Sequence, residues 1–88
     1  MKVLKFGAIW CKECLVMRPM WQEIEEAMPE LKTEYYDADE NFDVFKKYSV
    51  KDVPAFIFLD KEGKEILRFE GFQNKDTLIN SVKENINK

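Results

Sequence analysis

Apolar positions divide the chain before any other property does. Residues 2 to 9, KVLKFGAI, set Val3, Leu4 and Phe6 beside Ala8 and Ile9 without helical spacing, and predict a largely buried strand ending at Trp10. From Leu15 onward the period changes: Met17, Met20, Trp21, Ile24 and Met28 recur at steps of three and four, the stripe of a helix packed on a sheet. Pro19 falls inside that stripe and lacks a backbone donor, so a kink is expected there rather than an end, because the period continues beyond it. Pro29 closes the helix.

Residues 32 to 38, KTEYYDA, read as a short strand, and DENFDVFKKYSV offers Asp39 or Asn41 as the cap of a short helix presenting Phe42, Phe45 and Tyr48. The spacing assigns Phe42, Phe45 and Phe56 to the core. Two β-rich runs, near residues 55 to 60 and 64 to 70, flank a DKEG turn in which Gly63 supplies a positive φ, so a hairpin is expected. After Gly71, Asn74 caps a last helix whose Leu78, Ile79, Val82 and Ile86 form one face. The predicted order is β-α-β-α-β-β-α. Strands joined through a helix run parallel and the closing hairpin is antiparallel, which makes an α/β fold: a four-stranded mixed sheet with three helices on both faces.

Eighty-eight residues suit one domain spanning residues 1–88, which on folding buries roughly 60% of the surface of its unfolded chain. With 45% hydrophobic and 35% charged residues the composition is that of a soluble globular protein. The net charge is −3 and the Lys and Arg residues are scattered among acids, so no basic stripe offers itself to nucleic acid. No apolar run approaches the ~20 residues of a membrane span, and the N-terminus shows no secretory pattern. The chain is therefore expected in the cytoplasm, where a close cysteine pair is more often redox-active or metal-binding than a structural staple.

The only two cysteines, Cys11 and Cys14, lie in WCKEC at the predicted strand-to-helix junction. Unpaired N–H groups and the helix dipole there favour a thiolate at Cys11 over the ordinary thiol of pKa ~8.5. Cys14 lies about one helical turn further on, within reach of a mixed disulfide formed on Cys11. A four-residue ring would stabilise by only about 2 kcal/mol against about 3 for fifteen residues, which argues against a staple. Tetrahedral zinc needs four ligands, and a chain with two Cys and no His would have to share the metal with a second copy.

With these residues in view, the chain resembles the thioredoxin family. The shared features are the aromatic before the first thiol in WCKEC, Pro19 five residues after Cys14, the VP of Val53 and Pro54 opening the third strand, Gly63 in the hairpin turn and Gly71 after the last strand. The resemblance implies a compact thioredoxin fold without the extra N-terminal strand and helix of longer members. It implies a cis Pro54 beside the cysteines, a Val53 backbone that pairs with substrate, and a shallow apolar patch around Trp10, Pro54 and Gly71. The implied activity is thiol-disulfide exchange: Cys11 attacks a protein disulfide, Cys14 resolves the mixed disulfide, and a separate thioredoxin reductase-type donor resets the pair. No cofactor is implied, and a monomer is expected.

Departures from the family pattern matter as much. Thioredoxins typically carry Gly-Pro between the cysteines, whereas Lys12 and Glu13 stand here with opposing effects on a thiolate. Six residues before the first cysteine the family has a buried Asp that relays a proton, and this chain has Lys5. Lys5 is expected to reach solvent or to pair with Asp37 or Asp39, and, if desolvated, to act as the relay itself. Two other readings stay open: a glutaredoxin-like enzyme using glutathione, and a non-catalytic binding module with a metal bridging a dimer.

Overall fold

A computed structural model describes residues 1–88. The elements are β1 (Lys2–Gly7), α1 (Lys12–Ala27), β2 (Lys32–Asp37), α2 (Phe42–Lys47), β3 (Ala55–Leu59), β4 (Glu65–Glu70) and α3 (Lys75–Asn85). They make one sheet in the order β2-β1-β3-β4, with β1 parallel to β2 and antiparallel to β3, and β3 antiparallel to β4. The expected order and mixed sheet are both present.

Alternation along the strands sorts side chains onto two faces. Val3 of β1 with Phe56 and Phe58 of β3 packs against Met17, Trp21 and Ile24 of α1 and Leu78 and Val82 of α3. The opposite face carries Leu4, Phe6, Ala55, Ile57 and Leu59, covered by Phe45 and Val50. Helices thus cover both faces, α1 and α3 on one and α2 on the other. Every residue of β3 is buried, as its unbroken apolar run requires of a strand with neighbours on both edges and layers on both faces.

Several boundaries differ from expectation. β1 stops at Gly7, and Ile9 and Trp10 form an exposed turn tied by the Cys11 N–H donating to Ala8 O at 3.2 Å. α1 begins at Lys12, one turn before its apolar stripe becomes legible, and runs unbroken through Pro19. Phe42 leaves the core set: as the first residue of α2 it stays 72% exposed, while Phe45, one turn on, is buried edge-on against Phe6 at 5.0 Å. Asn41, one of the two expected candidates, is the N-cap residue of α2 but makes no side-chain cap hydrogen bond. Asn41 Oδ1 instead accepts the Asp37 N–H at 3.1 Å, and Asp37 Oδ1 accepts the Asp39 N–H at 2.8 Å, so these residues organise the turn ahead of the helix. Asn74 occupies the N-cap of α3 without a side-chain hydrogen bond.

Candidate active site

Where β1 leaves the sheet, the chain turns into α1 with Cys11 as N-cap in extended conformation, φ −92° and ψ 113°. Cys11 Sγ accepts the Cys14 backbone N–H at 3.2 Å, so the first thiol sulfur sits on an otherwise unpaired donor of the helix N-terminus. The same field that would stabilise a thiolate therefore acts directly on this sulfur. Cys11 and Cys14 are joined as a disulfide, with Cα atoms 5.2 Å apart. Both are buried, walled by Ala8, Ala38 and Val53.

The expected partners converge here. The Val53–Pro54 bond is cis, Pro54 is buried, and its carbonyl accepts the Gly71 N–H at 2.7 Å. Gly71 has φ 91°, a conformation that side chains resist, and this lets β4 turn away just after the bond is made. Lys12 and Glu13 are exposed in the first turn of α1. Trp10, on the turn just before Cys11, is 67% exposed. With Ile9 and Phe72, also exposed, it presents apolar surface on the turns leading into and out of the site.

Lys5 also corrects its expected partner. Alternation on β1 points it toward α1, where Nζ lies 2.8 Å from Glu25 Oε2 and 6.0 Å from the centroid of the Trp21 ring. Asp37 pairs with Gly7 in the parallel register and spends its carboxylate on the turn, so neither acid expected for Lys5 reaches it. Lys5, Cys14, Trp21, Glu25, Tyr35 and Pro54 share the walls of one cavity of about 260 Å³. Glu25 and Tyr35 were not singled out from sequence. Helical spacing was the available signal for Glu25, which follows Cys14 by close to three full turns and so lies on its face of α1. No cluster of three or more His, Cys, Asp or Glu side chains forms that could hold a metal.

Comparison with known proteins agrees with this geometry. A profile of the thioredoxin family matches residues 1–84. The chain is 35% identical over 74 residues to thioredoxin H5 of Oryza sativa subsp. japonica, covering 84% of this chain and 54% of that one. It is 32% identical to thioredoxin of Bacillus subtilis, covering 92% of this chain and 78% of that one. The chain thus spans between about half and four-fifths of the length of such relatives. Among solved structures it superposes on Fasciola hepatica thioredoxin with a TM-score of 0.88 at 33% identity, covering 96% of this chain and 79% of that one. Thioredoxin 1 of Thermosipho africanus gives 0.86 at 31% identity, covering 98% and 94%. A cis-proline beside a disulfide at a helix N-terminus, on this sheet and with these relatives, leads to one conclusion: the chain belongs to the thioredoxin family.

Proposed function

We propose that this chain is a thiol-disulfide oxidoreductase that reduces protein disulfides by cycling Cys11 and Cys14 between dithiol and disulfide. The observation that carries the reading is the bonded pair at the start of α1, with Cys11 Sγ on a helix N–H and both sulfurs walled by Val53, the residue before cis-Pro54. In the reduced state the Cys11 thiolate attacks one sulfur of a substrate disulfide, a Cys11–substrate bond forms, and the second substrate sulfur leaves with the electron pair. Cys14 then loses its proton and attacks Cys11 Sγ. The internal disulfide closes and the remaining substrate sulfur departs as thiolate.

The exposed Ile9, Trp10 and Phe72 supply an apolar rim, and the Val53 backbone is the group that pairs with an extended substrate segment in this reading. Lys12 and Glu13 flank the nucleophile from solvent and set its immediate charge environment. A separate thioredoxin reductase-type donor returns the two electrons, and the chain acts as a cytoplasmic monomer. No helix is long and apolar enough to cross a membrane.

A redox titration of Cys11 and Cys14 in glutathione and dithiothreitol buffers, read by alkylation and mass, tests the reading. A reversible two-electron couple well below the glutathione poise is expected, each ~30 mV being worth about 1.4 kcal/mol. Failure to form the internal disulfide reversibly would sink it.

A further inference from the structure

Behind Cys14 the cavity carries a polar group without a partner. Trp21 is 2% exposed and its Nε1–H makes no hydrogen bond, yet its ring forms part of the cavity wall. A buried donor left unpaired is unfavourable, and a space of about 260 Å³ lined by Lys5, Glu25, Gln22 and Tyr35 has both the polarity and the room for several waters at roughly 30 Å³ each. The same space reaches Cys14, the thiol that must lose a proton before it can resolve a mixed disulfide.

We infer that this cavity is a hydrated proton-exchange site for Cys14, in which the Glu25 carboxylate, anchored by Lys5, takes up the thiol proton through water held by Trp21. The inference rests on the dithiol cycle proposed above. The charged and titratable groups facing the cavity are Lys5 from β1, Cys14, Arg18 and Glu25 from α1, and Tyr35 from β2, while β3 contributes Pro54 and Phe56. Of these, only Glu25 is an acceptor without a proton of its own to lose. Arg18 is a permanent cation 5.7 Å over the Tyr35 ring. Lys5 holds Glu25 at 2.8 Å and so keeps its carboxylate on the wall of the cavity that Cys14 shares.

The step balances. The Cys14 S–H proton passes through water to Glu25, Cys14 Sγ bonds to Cys11 Sγ, and the Cys11–substrate bond breaks with its electron pair on the departing substrate sulfur. Glu25 then releases the proton to solvent, to which its side chain is 32% exposed. Lys5 is thus a positioning residue rather than the relay itself.

The reaction of reduced protein with an aromatic disulfide that liberates a coloured thiolate separates the two steps: the first release reports attack by Cys11, the second resolution by Cys14. In Glu25→Gln the first release is expected unchanged, while the second slows about 100-fold near pH 7 and comes to rise about tenfold per pH unit, since only hydroxide is left to take the proton. In Glu25→Ala, formate in the buffer restores the second release in proportion to its concentration, which no packing role would produce. A Trp21→Phe variant slows the second release and not the first. A Glu25→Gln second phase within twofold of wild type with the same pH profile, or a Glu25→Ala variant that formate does not rescue, overturns the inference. A wild-type protein that releases one thiolate and never the second would instead overturn the dithiol cycle.

Discussion

Gly71 shows how one backbone angle ties the site together. Its N–H donates to the Pro54 carbonyl at 2.7 Å while its φ of 91° turns the chain out of β4. A Cβ added there would meet nothing within 4 Å, so the cost of Gly71→Ala is backbone strain alone, expected at about 1–2 kcal/mol in urea unfolding with an unchanged denaturant slope. Trp10 behaves oppositely. Being mostly exposed, it is expected to tolerate Trp10→Ala within about 0.5 kcal/mol of stability. The same change should raise KM for a protein disulfide with little effect on small-molecule disulfides, and a loss in both would contradict its place on the docking rim. Of the residue-scale features, the two thiols, the proline and the glycine were legible because each residue type carries its own chemistry. The Lys5–Glu25 pair was not, because nothing local couples residues twenty apart.

At the scale of elements, α2 is the one that cannot stand alone. Six residues without a side-chain N-cap are far short of a self-supporting helix, so its stability comes from neighbours. Phe45 anchors its middle, and Arg68 of β4 anchors its end: Nη2 donates to Tyr48 O at 2.7 Å and Nη1 to Ser49 O at 3.5 Å, a cation on the negative end of the helix dipole. Glu65 holds the guanidinium in place with both carboxylate oxygens, accepting from Nη2 at 2.7 Å and from Nε at 3.0 Å. Ser49, with φ 55°, makes the tight exit toward Val50 and the cis-Pro54 turn. Arg68→Met is expected to cost about 1–2 kcal/mol and to speed amide exchange across α2 more than across β1. Arg68→Lys should recover only part, since an ammonium lacks the fork that reaches helix and carboxylate together.

Considered as a whole, the molecule ties its pH dependence to the sheet and the hairpin. Hydrogen bonding from Arg68 holds the Glu65 carboxyl below its ordinary 4.5, bonding from Tyr36 and then Lys2 does the same for Glu34, and the Lys64 backbone N–H, followed by that of Glu62, lowers Asp60 from 3.8. Each depressed carboxyl contributes stability that is complete above its unfolded value and is lost as pH falls through the folded one. Stability is therefore expected to hold from neutrality down to about pH 4.5 and to decline below it, read as the urea midpoint against pH. Glu65→Gln should flatten part of that acid decline while costing less than about 1 kcal/mol at pH 7, because the pair is partly exposed. An acid decline of unchanged slope in this variant would remove Glu65 from the account. The raised Tyr36, bonded to Glu34, works in the opposite sense and withdraws stability only as pH climbs through 10 and above.

Periodicity and residue chemistry by themselves determined the element order, the mixed sheet, the hairpin at Gly63 and the placing of Cys11 and Cys14 at a helix start. All of these depend on interactions within a few residues or on an apolar stripe that repeats along the chain. Only the tertiary structure decided that Phe42 stays in solvent while Phe45 is buried, that Trp10 is left mostly exposed, and that Lys5 finds Glu25 instead of Asp37 or Asp39. It also brought Cys14, Trp21, Glu25 and Tyr35 around one cavity. The reason is geometric. A strand side chain meets whatever helix face the crossover lays over it, and that pairing is set by the packing of β1 beneath α1, over distances at which sequence spacing no longer constrains which charges meet.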